Sequence, residues 1–296
     1  MISGIVPIDK PAGFTSFDVV AKCRRIFNTK RIGHSGTLDP MATGVLPVFI
    51  GGATKAIDIL PDGGKRYSAE FELGRSTDTQ DRTGETVATS DVRVTRETVE
   101  EALGGFMGKI SQLPPMYSAV RVGGKRLYDL ARAGKTVERT PRTIEIFDLK
   151  LTDFDEEKQC GALDISCSKG TYIRTLINDL GERLGTLGTM TALRRTYSQG
   201  FEISHCVTLE ELTEASEAGK LDELIIPVEK CFEAFPIIQL DEAQEKRYKN
   251  GAPLDPHRVM GVGRDGLYRA YGVSFLGIAE VKGGRLRSLK HFWETV

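Results

Sequence analysis

The 296-residue chain is predicted to be an α+β protein, with a large mixed-sheet domain over residues 1–230 and a small β-rich domain over 235–296. Three observations lead there. Strand patterns of uneven length are separated by helical ones without a regular βαβ alternation. After Phe235 the pattern changes to short strands and Gly-rich turns, such as Gly261-Val262-Gly263 and Gly283-Gly284. The balance of 40% hydrophobic and 27% charged residues suits a globular chain long enough for one large and one small domain.

Gly4 to Asp9 reads as a strand ending in the Lys10-Pro11-Ala12-Gly13 turn. Thr15 or Ser16 can cap a helix through Val19, Val20, Cys23 and Ile26-Phe27, whose spacing is helical. The irregular stretch Arg31 to Pro40 leads into Val45-Leu46-Pro47-Val48-Phe49-Ile50, an apolar run that reads as a buried strand. Tyr67, Ala69, Phe71 and Leu73 alternate along one side of another strand, and Arg75 to Asp81 reads as polar loop. Thr95 is placed to cap a helix through Val99, Ala102 and Leu103. The Leu113-Pro114-Pro115-Met116-Tyr117 turn precedes a strand over Ser118 to Val122 and a helix over Leu127 to Ala133. Strands are expected over Thr143 to Phe154 and Ala162 to Cys167, then a helix from about Tyr172 to Leu184 and a strand from about Leu193 to Phe201. The acidic stretch Thr208 to Leu224 reads as a helical connector to the small domain.

A net charge of −1 argues mildly against a nucleic-acid binder. The charge is unevenly spread, however. Between Arg121 and Arg142, seven cations (Arg121, Lys125, Arg126, Arg132, Lys135, Arg139, Arg142) face only Asp129 and Glu138. Smaller basic clusters occur at Lys22–Arg31 and Lys282–Lys290. A near-neutral total can thus hide a basic face that tracks phosphates, although solvated helix faces would give similar clusters.

Several function classes are excluded by what the chain lacks. There is no P-loop, no His-Glu-x-x-His set and no Gly-x-Ser-x-Gly elbow. The five cysteines are scattered without a Cys-x-x-Cys pair, so neither a disulfide framework nor a zinc site is expected. No metal, nucleotide or redox cofactor is therefore anticipated. No apolar run approaches the roughly 20 residues of a membrane helix. The N-terminus lacks the pattern of a signal peptide, and a cytoplasmic location follows as an expectation.

The most informative stretch is Gly33-His34-Ser35-Gly36-Thr37-Leu38-Asp39-Pro40-Met41-Ala42-Thr43-Gly44-Val45-Leu46-Pro47. Its glycines and prolines impose an irregular backbone around one acidic side chain, Asp39. An Asp-Pro turn capping its own backbone would account for it. So would a functional carboxylate held rigidly at the edge of a core strand.

This stretch resembles the catalytic motif of the tRNA pseudouridine-55 synthases, the TruB-type family, and the resemblance extends along most of the chain. Lys10-Pro11 with Gly13, Lys65-Arg66-Tyr67, Pro115-Met116-Tyr117-Ser118-Ala119 and Gly124-Lys125-Arg126-Leu127-Tyr128 match further blocks in order. So do Cys167-Ser168-Lys169-Gly170-Thr171-Tyr172-Ile173-Arg174-Thr175-Leu176 and Leu193-Arg194-Arg195. The C-terminal segment is looser, similar in outline to a PUA-type RNA-binding domain. The resemblance implies a pseudouridine synthase fold and an enzyme that breaks the N-glycosidic bond of a uridine, turns the base and rejoins it through C5.

It also implies roles for individual side chains. Asp39 would be the catalytic carboxylate, acting as nucleophile or base. Arg174 would pair with it, though a helix arginine could equally be a solvated charge. Tyr67 would stack on a flipped base, and His34 would contact the opened loop. Tyr172 and Leu193 would line the uracil pocket, Lys10 and Pro11 would support its wall, and Asp81 would touch the substrate. The expected partner is tRNA, through its T stem-loop and its acceptor end, with the basic Arg121–Arg142 window gripping phosphates. No membrane and no obligate protein partner are expected, and the chain should be a monomer. A tRNA-binding or folding factor without catalysis, and a pseudouridine synthase for another RNA, are the rival readings.

Overall fold

The computed structural model describes residues 2–118 and 120–293. Ala119 of the Pro115–Ala119 block, Met1 and residues 294–296 lie outside the described residues, and of Arg126 only the backbone is described.

Strands β1 (Gly4–Lys10), β2 (Ile32–His34), β3 (Thr43–Ile50) and β4 (Lys65–Leu73) lead, with helix α1 (Ser16–Ile26) between the first two. A hairpin of β5 (Arg75–Thr77) and β6 (Thr86–Thr89) follows, then α2 (Arg96–Leu103) and β7 (Gly108–Gln112). The basic window holds the short β8 (Arg121–Val122), β9 (Lys125–Arg126) and α3 (Leu127–Arg132). β10 (Arg142–Asp155), β11 (Cys160–Cys167), α4 (Ile173–Leu184), β12 (Gly188–Ser198), β13 (Phe201–Glu202) and α5 (Leu209–Glu217) complete the large unit. The last segment contributes β14 (Ile237–Gln239), α6 (Glu242–Lys249), β15 (Gly266–Tyr271), β16 (Phe275–Lys282) and β17 (Arg285–His291).

The main sheet runs β1-β3-β12-β4-β11-β10-β7, with β2 appended to β3 and β13 to β12. Its strands pair antiparallel except where β12 meets β3 side by side, at Arg194↔Thr43 and Arg195↔Gly44. The sheet is therefore mixed at its centre. That parallel junction brings the start of β3, just past Asp39, beside the arginine pair of β12. α1 and α5 bury Val19, Val20, Leu209 and Leu212 against Val6, Ile8, Leu46 and Val48 at one end of the sheet. α2 and α4 bury Val99, Leu103, Leu176, Ile177 and Leu180 against Phe71, Leu163, Ile165 and Met190 further along it.

Local chemistry explains the starts of the helices. Thr15 caps α1 in a reciprocal box with Asp18, and Thr95 and Thr208 cap α2 and α5. Four sequence expectations need adjustment. Arg75 to Thr77 is a strand, because β6 supplies it with a partner that the polar sequence did not signal. The strand expected over Ser118 to Val122 shrinks to Arg121–Val122, paired only within its own hairpin. The late strand begins at Gly188 rather than Leu193, and its bulges against β4 blur the alternation that would have marked it. The acidic connector is a helix only over Leu209–Glu217, followed by a single 3₁₀ turn over Leu221–Leu224.

The β14-β15-β16-β17 sheet has its own core of Ile238, Leu240, Tyr248, Tyr268 and Leu286. It also shares one with the large unit, through Ile278 packed with Ile5, Val45, Phe49 and Phe232. Across this seam Lys290 pairs with Asp58 at 2.6 Å, and Lys55 donates to the His291 carbonyl. Among the described residues no helix is long and apolar enough to cross a membrane.

Gly44 shows how tightly the central junction is built. It has φ +101°, and a Cβ there would overlap the backbone carbonyl of Arg195. Gly44→Ala is therefore expected to cost about 3 kcal/mol, seen as a lower urea midpoint at unchanged m value. A midpoint equal to the wild type would show that the β3–β12 junction is looser than described.

Candidate active site

The site lies where the loop over 33–42, strand β4, the N-terminal turn of α4 and strand β12 meet. Its cavity, of about 230 Å³, is lined by Asp39, Lys65, Tyr67, Tyr172, Arg174 and Leu193, among others. Five sequence-predicted residues, Asp39, Tyr67, Tyr172, Arg174 and Leu193, thus share one pocket.

Asp39 is held by fixing the backbone on both sides of it. The Ser16 hydroxyl accepts from the Leu38 amide at 2.9 Å and donates to the Leu38 carbonyl at 3.2 Å. The Gly13 amide donates to the Pro40 carbonyl, and the Ala42 amide to the carbonyl of Asp39 itself. From below, the fully buried Arg195 guanidinium donates to the Gly36 carbonyl at 2.9 Å and the Val45 carbonyl at 2.7 Å. The Lys10 ammonium, also fully buried, donates to the carbonyls of Pro11, Phe14 and Pro40. Lys10 therefore holds up the loop without touching the pocket. Its burial lowers its pKa to about 8, with the field of Asp39 opposing that fall.

Arg174, 5% exposed, is no solvated charge. Its Nε approaches an Asp39 carboxylate oxygen at 2.9 Å and its Nη1 that of Asp81 at 3.6 Å. Nη1 also donates to the Thr79 carbonyl and Nη2 to the Tyr117 carbonyl. Helix α4 presents it from the first turn. There Gln112 takes the place of a side-chain cap, its amide accepting from the Tyr172 amide and donating to the Tyr172 carbonyl.

Asp81 is 4% exposed, and Thr79 and Thr83 satisfy its other oxygen. It stands behind Arg174 rather than on the pocket wall, so its influence on the site passes through the guanidinium. His34, on β2, lies outside the pocket lining, half-buried, and burial lowers its pKa.

The Asp39 side chain keeps 37% of its surface open, and it faces the cavity. Burial in the cleft raises its pKa, the Arg174 charge works against that rise, and the second carboxylate on the same guanidinium adds to it. Tyr67 is buried on the same wall, which raises the pKa of its phenol. The pocket thus joins a carboxylate anchored by a buried cation to a flat aromatic wall, enclosed enough for a single planar ring. Among the described residues no cluster of His, Cys, Asp and Glu could hold a metal ion.

Lys65 and Gln112 are among the contributors not singled out from sequence. Lys65 lines the pocket and could have been found, because it lies two residues before Tyr67 on a strand and so faces the same side. Gln112 could not, since its work depends on a pairing 60 residues away.

The pattern of the TruB family pseudouridylate synthase N-terminal domain matches residues 24–173, and that of the tRNA pseudouridylate synthase B C-terminal domain matches 174–233. A tRNA pseudouridine synthase B of Oceanobacillus iheyensis is 46% identical over 86% of this chain and 85% of the relative. Another of the same name, from Azoarcus sp., is 44% identical over 97% and 94%. Among solved structures, the chain is similar to one in a Cbf5-Nop10-Gar1 complex, with a TM-score of 0.75 and 27% identity over 98% of this chain and 85% of that one. It is also similar to one in an H/ACA RNP bound to a substrate RNA containing 2′-deoxyuridine, with a TM-score of 0.74 and 25% identity over 98% and 85%.

If Arg174 opposes the burial of the Asp39 charge, a carbon-13 titration should place the Asp39 midpoint above the ordinary 3.8. Arg174→Gln should move it higher still. Since the folded pKa is raised, stability should increase as pH falls through that midpoint towards 3.8. A midpoint at or below 3.8 would show that the ion pair outweighs burial.

Proposed function

The chain belongs to the TruB family of pseudouridylate synthases, and on that premise we propose that it converts uridine 55 in the T loop of tRNA to pseudouridine with Asp39 as its catalytic carboxylate. It is an enzyme, a tRNA pseudouridine synthase, an assignment that rests on the family match and on relatives of that name at about 45% identity over most of the chain. The observation that carries the residue assignment is the Asp39–Arg174 pair at 2.9 Å on the wall of a ring-sized pocket.

A uridine inside a folded RNA loop cannot reach that pocket until it is flipped out, at a cost of a few kcal/mol. Stacking on Tyr67 returns part of that cost. Leu193 and Tyr172 enclose the ring, and Asp39 stands where it can engage the base or the sugar. Arg174 keeps the carboxylate oriented, so little reorganisation is needed when the reacting nucleotide arrives.

The isomerisation moves the base from N1 to C5 without net oxidation, so the residues on the pocket wall suffice in this reading. The exposed cations Arg121, Lys125, Arg132, Lys135 and Arg142, on an arm anchored by the buried Leu127, suit RNA phosphates rather than base edges. The C-terminal cations would reach towards the acceptor end. In this reading the chain acts as a monomer in the cytoplasm.

A tRNA transcript or T-arm minihelix labelled with tritium at C5 of the target uridine tests the proposal. Wild-type protein is expected to release tritium to water, and Asp39→Asn to bind the RNA equally well while releasing none above background. No release by the wild type despite tight binding would leave a tRNA-binding factor as the better description.

A further inference from the structure

Lys65 is a pocket-lining cation without a counter-charge in contact. Among the described residues its ammonium makes no hydrogen bond or ion pair. Asp62, whose field reaches it, is itself paired with Lys169 at 3.1 Å. Around Lys65 lie Arg195 of β12, Cys167 of β11 and Tyr67 two residues further on β4, with Asp39 and Arg174 lining the same cavity.

The Lys65 Nζ and Arg195 Nη1 atoms lie 3.2 and 3.3 Å from the same point, the position a Cβ would occupy at Gly36. Arg195 Nη1 is buried with no acceptor, as are the hydroxyls of Ser35 and Ser198. Ser198 pairs with Lys65 across the sheet, and Ser35 adjoins Gly36. Two cations therefore meet beside the pocket, with unused hydrogen-bonding capacity on Arg195 and on neighbouring serines. A desolvated ammonium left so is costly to keep, and a ligand bearing negative charge would compensate it.

Building on the pseudouridine synthase reading, we infer that Lys65 is a further catalytic residue, whose ammonium holds the negative charge that develops on a carbonyl oxygen of the uracil during isomerisation. Lys65 and Tyr67 point to the same face of β4, so a ring stacked on the tyrosine turns an edge towards the ammonium. When the N1–C1′ bond breaks, its electron pair leaves with the uracil and spreads onto the carbonyl oxygens. If Asp39 instead adds to the ring, the displaced ring electrons reach the same kind of oxygen. The ammonium donates a hydrogen bond to that oxygen and keeps its proton. The electron pair then forms the C5–C1′ bond, C5 loses its proton to water and N1 gains one, so the product is an isomer. Arg195, which does not line the pocket, is a positioning residue: its charge lies beside Lys65 and Tyr67 while it pins the Gly36 carbonyl.

The test compares Lys65→Met and Lys65→Arg with the wild type by single-turnover pseudouridine formation across pH, by tRNA affinity and by thermal melting. Lys65→Met is expected to lose about 100-fold in rate, the scale of one oxyanion donor, with tRNA affinity unchanged. Its melting temperature should equal or exceed the wild type, since a desolvated charge is removed. Lys65→Arg should recover part of the rate. In the wild type the rate should fall above pH of about 8, where the half-buried Lys65 ammonium loses its proton, and Lys65→Met should lack that limb.

Persistence of the limb in Lys65→Met would assign it to Lys10, whose pKa lies in the same range, and would overturn the inference. So would an unchanged rate, or a loss confined to affinity, which would make Lys65 a phosphate contact. A wild type that forms no pseudouridine would sink the isomerase reading itself, and this inference with it.

Discussion

The buried guanidinium of Arg174 is the interaction around which the site is assembled. Its donors meet the carboxylates of Asp39 and Asp81 and the carbonyls of Thr79 and Tyr117. Three segments far apart in sequence, at Asp39, at Thr79–Asp81 and at Tyr117, are thereby tied to the first turn of α4. An arginine that is 5% exposed would be destabilising without such partners. Because they are present, the charge can be kept, and its planar fork sets the direction of the Asp39 carboxylate. Removing either carboxylate would leave Arg174 undercompensated, so folding and chemistry are linked at this point.

The loop carrying Asp39 is supported by cations of a different kind. Lys10 and Arg195 are fully buried, and their contacts are backbone carbonyls rather than carboxylates. Carbonyl partners return less energy than an acid would, so this arrangement costs stability. In exchange, the backbone on both sides of Asp39 is held from several directions without engaging its carboxylate, which keeps its pairing with Arg174 and faces the cavity. Placing loops on a rigid sheet in this way is a common route to a precise site.

Much of the framework was legible because it depends on local pattern. The alternation Tyr67-Ala69-Phe71-Leu73 and the apolar run Val45 to Ile50 mark strands buried as expected. Thr15 and Thr95 mark helix starts. The strand at Arg75 to Thr77 was missed because its pairing with Thr86 to Thr89, not its composition, makes it a strand. Hydrophobic spacing alone left the burial of Arg174 open, since a cation on α4 becomes internal only when Asp39 and Asp81 arrive from elsewhere. Asp81, expected from the resemblance to touch the substrate, stands instead behind the guanidinium, a position that only the folded chain reveals. Lys65 was within reach of the period-two rule, whereas the support given by Gln112 and Arg195 exists only once the sheet has closed.

The most direct test is the single-turnover rate of Arg174→Lys on unmodified tRNA. Lysine keeps the positive charge but cannot span two carboxylates and two carbonyls at once. If the fork geometry orients Asp39, the rate should fall by about 100-fold or more while tRNA affinity holds. A rate equal to the wild type would show that charge alone is sufficient and that the buried guanidinium network is not what prepares the carboxylate.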